Sequence, residues 1–329
     1  MDLNLSAMQR ELRSGLRDYL ADAWTPDRLR AAADAGRLDL KPWHELAGLG
    51  LFGLMLPEED GGMGLAWADA VILFEELGRA LVPGPLVATF LAGVPLLAAG
   101  AVPGTATGDA VVTAIDTRDA HAVLEYPADA THLVVAGDAG LFLLPPPPDA
   151  VAAARPLDPL TPVAPLAPGR VRPEAGERVG SAADAARWRR SGALLTAALQ
   201  VGVGQGALDL AVRYAREREQ FGRAIGSFQA VKHLLADALA RVDLARAAVL
   251  VAALTLDDQG CGDPAEAVAS AKVLADDAAT ANGRTGVQVH GGMGFTWEVL
   301  AHLYLKRAWL HETAYGTPGE HALALAETL

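Results

Sequence analysis

One cysteine, Cys261, stands in a chain of 329 residues. That excludes an intrachain disulfide framework and suits a reducing compartment, here expected to be the cytoplasm. Positive charge is in short supply. There are 27 Lys and Arg against 40 Asp and Glu, a formal net charge of −13. Such a balance argues against nucleic acid or an anionic membrane as a general partner. It leaves room for an anionic ligand held by local arginines. No uncharged apolar stretch reads as a membrane span, because the run at 86–99 is short and interrupted by prolines and glycine. No basic region followed by an apolar run opens the sequence, so no leader peptide is expected. Residues 101–180 contain neither serine nor tryptophan. What is abundant is apolar: 51% of residues are hydrophobic, enough for a large core or for two to three domains.

The expected fold class is mainly α with a small β domain. Residues 1–100 read as an N-terminal helical domain. Leu5, Met8, Leu12, Leu16 and Tyr19 mark its first helix, with Ser6 and Gln9 at capping-box spacing. Further helices are expected at 40–49 and 67–81, with Pro83 and Pro85 as stop signals. Residues 101–175 change character. Short β-compatible runs at 110–115, 121–125, 132–136 and 141–144 are separated by Gly, Asp and Pro. Half of the chain's 20 prolines then fall between Pro145 and Pro173. Proline blocks ladder hydrogen bonds, so this stretch is expected to be extended edge or linker. Residues 176–329 return to helical periodicity as a C-terminal four-helix bundle. Helices are expected at 181–217, at 228–256, from Asp263 to about Val289, and from Thr296, with a last short one after Thr317. Asp263-Pro264-Ala265-Glu266 and Thr317-Pro318-Gly319-Glu320 each supply a cap, a first-turn proline and a glutamate.

Two long helical patterns meet at residues 218–228. Leu208, Val212 and Ala215 share a face before the break, and Phe228, Val231, Leu235, Val242 and Val249 follow helical spacing after it. The break itself, Gln220-Phe221-Gly222-Arg223-Ala224-Ile225-Gly226-Ser227, offers two glycines and a serine placed to cap the next helix. It fits a helix–helix corner with a solvated basic patch. It equally fits an anion-binding corner, with Arg218 forking a phosphate and Phe221 lying on an apolar ring system. A second stretch, Gln288-Val289-His290-Gly291-Gly292-Met293-Gly294-Phe295, has three glycines in four residues and lets backbone approach a neighbour or a ligand closely.

Together the two stretches resemble the acyl-CoA dehydrogenase family, flavoproteins that desaturate acyl thioesters. Arg218-x-x-Phe221-Gly222, then Phe228-Gln229, then Gln288-x-x-Gly291-Gly292-x-Gly294 stand in the family's order. The Trp43–Gly53 stretch, Pro57-Glu58-Glu59-Asp60-Gly61-Gly62-Met63-Gly64 and Glu75-Glu76-Leu77-Gly78-Arg79 read like its first domain. The resemblance covers roughly residues 1–100 and 180–329. It implies FAD as cofactor, an acyl-CoA substrate, and cofactor contacts from Arg218, Phe221, Gln229, Gln288, Gly291, Gly292 and Gly294. In the family these motifs reach across a subunit boundary.

The resemblance fails where the chemistry is expected. Desaturation needs a base for the α-proton and a flavin for the β-hydrogen. The family base is a glutamate before Gly-Thr, and here Tyr315 precedes Gly316-Thr317. A phenol with a reference pKa of about 10 is a poor base at neutral pH. The family's alternative position falls at about Gly192, which has no side chain. Glu312, one turn before Tyr315, is the weak substitute, with His311 also at hand, while Glu320 is expected to be spent on its cap. The β segment is shortened and lacks the Ser- and Trp-containing stretches that hold the flavin ring in the family. The chain therefore resembles the non-catalytic subunit of an α2β2 acyl-CoA dehydrogenase, paired with a homologous catalytic subunit. Such assemblies degrade bulky CoA thioesters, including steroid side chains. The competing readings are a self-sufficient homotetramer using Glu312, and a CoA-ester-binding scaffold without redox chemistry.

Overall fold

The computed structural model describes residues 3–328 apart from 95, 99, 120, 121 and 168. The first helix, α1 (Ala7–Ala23), begins with the expected box. The Ser6 hydroxyl accepts from the Gln9 N–H at 3.1 Å, and the Gln9 side chain returns the bond to the Ser6 N–H at 2.9 Å. Helices α2 (Pro26–Ala35) and α3 (Leu40–Gly48) follow, then α4 (Trp67–Arg79) and the short α5 (Leu86–Ala92). Strands β1 (Val112–Asp116), β2 (Val123–Glu125), β3 (His132–Ala136), β4 (Leu141–Leu144), β5 (Val163–Pro165) and β6 (Glu177–Gly180) make up the middle segment. Of the expected run at 121–125, β2 takes up Val123–Glu125 and Ala122 stands outside it, while His121 lies outside the described residues.

The chain next forms α6 (Ala182–Glu217), the two-residue strands β7 (Glu219–Gln220) and β8 (Arg223–Ala224), α7 (Gln229–Asp257), α8 (Pro264–His290), α9 (Ala301–His311) and α10 (Pro318–Ala326). Asp263 caps α8 by accepting from the Ala265 and Glu266 N–H groups, and Thr317 with Glu320 forms a full capping box on α10. The helix expected from Thr296 begins only at Ala301. A 3-10 turn over Gly291–Phe295 and a run of turns occupy the interval. By length and mean hydropathy α6 could cross a membrane, a possibility that residue runs alone did not flag. Of its most apolar window, 78% is buried inside the protein, as in a core helix.

These elements fall into two compact units. One comprises residues 1–30, 67–82 and 193–329, the other 31–66 and 83–192. In the second unit β1-β3-β4-β6 form a four-stranded sheet, parallel at β1–β3 and antiparallel elsewhere, while β2 and β5 pair separately. Leu124, Leu133, Val135, Phe142 and Ala164 form its small core. Among its described residues, the proline-rich stretch contributes only β5 to a ladder. That strand pairs with β2 alone, where Pro165 withholds no central bond.

In the first unit α4 crosses α6 at glycine distance. A Cβ at Gly202 would lie 1.9 Å from the Glu75 carbonyl oxygen, and one at Gly78 2.1 Å from that of Leu199. This approach buries the two acids of Glu75-Glu76. Arg246 Nε meets both Glu75 oxygens at 3.0 and 3.1 Å, and Arg17 Nε meets Glu76 at 2.8 Å. Burial pushes the Glu75 carboxyl up, against the pull of Arg246. Val249, placed by its helical spacing on the apolar stripe of α7, is a core residue at 4% exposure. Leu234, Leu239 and Leu244 stay exposed.

Candidate functional site

The site is built at one end of the first unit, where α6 stops. Helix α6 ends at Glu217, and the chain reverses through a hairpin in which Glu219 pairs with Ala224 and Gln220 with Arg223. The two turn residues, Phe221 and Gly222, both lie in the left-handed region, with φ of 54° and 76°. Two consecutive positive φ values are the signature of a type I′ turn, which matches strand twist. For phenylalanine that conformation costs about 1–2 kcal/mol. The side chain recovers little of this, because Phe221 is 92% exposed and, among the described residues, its ring pairs with the edge of Phe228 at 6.1 Å. A strained, solvent-facing aromatic at a hairpin tip is arranged to touch something else.

Arg218 closes the base of this hairpin, its carbonyl accepting from the Ile225 N–H at 2.8 Å. Its guanidinium has no hydrogen-bond or ion-pair partner among the described residues, the neighbouring Glu217 and Glu219 included. Arg223 is occupied, stacked 4.1 Å over the Phe228 ring. Residues 213–224 carry four arginines and two glutamates, a local positive surplus in a chain of net charge −13. Ser227 does not cap α7. Phe228 is the N-cap and makes no side-chain bond, because Ile225–Ser227 coils into a 3-10 turn and the Ser227 hydroxyl donates to Ala224 at 2.7 Å. Gln229, the first residue of α7, is exposed.

The glycine motif closes α8. The Gln288 carbonyl accepts from the Gly291 N–H, and the Gln288 side chain is exposed. The three glycines divide by role. Around Gly291 and Gly292 nothing lies within 4 Å of an added Cβ, so their backbone is open to an outside molecule. Gly294 is buried, and its Cβ would fall 2.4 Å from the Val287 carbonyl oxygen, a packing requirement. A small core of Ala211, Ala215 and Val289, with Ile225, Val231 and Leu235 against it, joins the hairpin to the glycine turn. The two motifs thus share one end of the bundle.

Two residues not singled out from the sequence complete the junction. The Tyr214 ring stacks on His290 at 4.3 Å, and its hydroxyl donates to the Met293 sulfur at 4.0 Å. His290 Nδ1 lies 2.7 Å from the Gly286 carbonyl, which only accepts, so Nδ1 carries the proton; burial holds the ring's pKa below the ordinary histidine value. Their only sequence signal is helical spacing, which does not show that α6 and α8 meet there.

Tyr315 and Glu312 lie in the turn between α9 and α10. Tyr315 is left-handed, with φ of 56°, and its carbonyl accepts from His321 Nε2 at 3.0 Å. The Glu312 carboxylate accepts from the Thr280 hydroxyl at 2.8 Å. Burial and the nearby Arg307 hold the His311 pKa well below its ordinary value.

Fold and site together define an α-rich protein with an unpartnered guanidinium, an exposed aromatic and open glycine backbone on one corner. That donor set fits the anionic, ring-bearing half of a dinucleotide. The acyl-CoA dehydrogenase N-terminal domain family matches residues 6–102, and the C-terminal domain family matches residues 190–329. The chain is 37% identical over 311 residues to the acyl-CoA dehydrogenase IpdE2 of Mycobacterium tuberculosis, spanning 90% of this chain and 89% of that one. It is 36% identical over 324 residues to acyl-CoA dehydrogenase FadE34 of the same organism, spanning 92% of this chain but 42% of FadE34. Among solved structures, the Tcur3481-Tcur3483 steroid ACAD superposes with a TM-score of 0.82 at 27% identity over 97% of each chain. The chain belongs to the acyl-CoA dehydrogenase family, whose cofactor is FAD. Residues 103–189, between the two matched domains, hold the small sheet.

Proposed function

We propose that this chain is the non-catalytic subunit of a heteromeric acyl-CoA dehydrogenase and completes FAD sites centred on a homologous catalytic chain. One observation carries the proposal: the corner at Arg218 and Phe221 is preformed and faces outward, the Arg218 guanidinium having no partner among the described residues and Phe221 being 92% exposed. The rest of the sequence supports it, because residues 101–180 hold no serine or tryptophan and Tyr315 occupies the base position. The pairing of two chains in the Tcur3481-Tcur3483 steroid ACAD supports a related partner here, and its description supports a bulky, steroid-derived acyl-CoA as substrate.

FAD held at this corner by Arg218, Phe221 and the glycine turn would supply a hydride acceptor for the β-hydrogen. The chain's own part is binding and orientation. Arg218 offers a planar fork of donors to the pyrophosphate. Phe221 covers an apolar edge and excludes water. The open backbone at Gly291 and Gly292 admits the cofactor closely, and Gln229 and Gln288 supply amides beside it. Between α6 and α7 a groove of about 700 Å3, lined by Leu208, Val212, Leu235 and Leu239 with Arg213 and Arg216, would receive part of the partner.

The base comes from the partner. Glu312 is engaged by Thr280, and a carboxylate so held is a structural acceptor. Glu312→Gln should leave turnover of the assembled enzyme within about tenfold, whereas loss of a general base costs roughly 10²–10⁴. Steady-state kinetics of the variant complex, with flavin content checked, decides the point. A thousandfold fall with FAD retained would instead support the homotetrameric reading with Glu312 as base.

A further inference from the structure

Behind the Tyr315 turn lies a buried charged cluster that the proposed function does not use. Lys272 on α8 has a fully buried side chain, 0% exposed. Its ammonium sits 2.6 Å from Asp276 Oδ2 and within 3.3, 3.4 and 3.4 Å of the carbonyl oxygens of His311, Glu312 and Gly316. Asp276 in turn accepts from the Gln200 amide at 3.0 Å, and the same amide reaches the Ala308 carbonyl at 2.9 Å. The cluster therefore collects the carbonyls at the end of α9 and one beyond it. Two of them also have a backbone donor, Ala308 from the Glu312 N–H at 2.9 Å and His311 from the Ala314 N–H at 3.1 Å, and leaving the others buried and unbonded would be costly.

The turn they belong to is sharply bent. Tyr315 and Gly316 are consecutive left-handed residues, with φ of 56° and 100°. An added Cβ at Gly316 would lie 2.7 Å from His321 Nε2. Backbone bonds from the Thr313 and Ala314 N–H groups to the Leu310 and His311 carbonyls start the turn, and side-chain donors reach it from both flanking helices. Lys272 reaches it from α8 and His321 from α10. An ammonium has three protons for four acceptors, and its compact charge suits several carbonyls at once. Burial pushes Lys272 down and Asp276 up to about 6, each opposed by the attraction of the other.

We infer that Lys272 is a positioning residue, a buried ammonium that clamps the carbonyls on either side of Tyr315 and so fixes the backbone from which Tyr315 projects. Asp276 holds the ammonium in place, and Gln200 holds Asp276. The clamp acts on the chain's own turn and does not depend on the subunit assignment.

The test removes the charge while keeping the shape. In the full-length chain, Lys272→Met with Asp276→Asn deletes the ammonium and leaves a neutral acceptor for Gln200. Hydrogen exchange read by mass spectrometry should accelerate about tenfold or more at residues 313–317, while the middle of α8 stays within about twofold. Unchanged exchange in the turn overturns the clamp. Equal acceleration along α8 and α9 overturns it too, since that is what a general packing role predicts. A second measurement stands whether or not the variant folds. The chain has four lysines, and Lys41 and Lys232 are exposed while Lys306 is half-buried. Nitrogen-15 NMR of the unsubstituted protein should show one ammonium with slowly exchanging protons, lost in Lys272→Arg. Absence of any protected ammonium contradicts the clamp.

Discussion

Arg218→Ala is expected to strip flavin from the assembled complex. The guanidinium is unpaired among the described residues, so its loss breaks no ion pair seen there and should leave folding stability within about 0.5 kcal/mol. A charge-assisted bond to a phosphate is another matter. Removing it and leaving the anion without its donor costs about 2–3 kcal/mol, roughly 30–150-fold in affinity for FAD. Flavin absorbance per complex after dialysis should fall, and added FAD should restore part of the activity, because the defect lies in binding. Full flavin occupancy in the Arg218→Ala complex would reject the cofactor role of this corner.

Gly202→Ala is expected to be strongly destabilising, although it adds a single methyl group. Its Cβ would stand 1.9 Å from the Glu75 carbonyl oxygen and force α4 and α6 apart. Separation would also loosen Glu75 from Arg246 and Glu76 from Arg17, uncovering buried charge. Overpacking of a well-filled contact costs typically 1–3 kcal/mol, and a clash against backbone belongs at or above about 3 kcal/mol. Thermal unfolding should shift down by roughly 6–12 °C for a domain of this size. Gly292→Ala is the control, since nothing lies within 4 Å of its added methyl, and its melting temperature should stay close to wild type. Equal melting temperatures for Gly202→Ala and wild type would contradict the tight α4–α6 crossing.

What the sequence made legible follows from how local each signal is. The Ser6–Gln9 box, the Asp263 cap and the Thr317–Glu320 box are contacts within one turn, and all three form. Strands β3 and β4 are bounded by turn residues and fall where alternation and punctuation place them. Local signals misled where two local structures competed. Ser227 had the right spacing for a cap, but the 3-10 turn took its hydroxyl. Helices α2 and α5 went unread because each is short, and prolines beside α5 suggested an interruption.

Of the site, the motif residues were legible because family resemblance carried them. Their geometry was not. Nothing in Phe221-Gly222 says that the phenylalanine takes the left-handed region and remains outside. The stacking of Tyr214 on His290, the reach of Lys272 to Gly316 and the Gly202–Glu75 contact span 76, 44 and 127 residues of sequence, by subtraction of their numbers. Periodicity has no information at that range.

The most direct measurement of the central claim is the flavin content and activity of the chain purified alone and purified with a longer homologous acyl-CoA dehydrogenase chain. The account predicts a colourless, inactive protein alone, and a yellow, active complex containing both chains when they are co-expressed. A chain that purifies alone with stoichiometric FAD and desaturates acyl-CoA would contradict it.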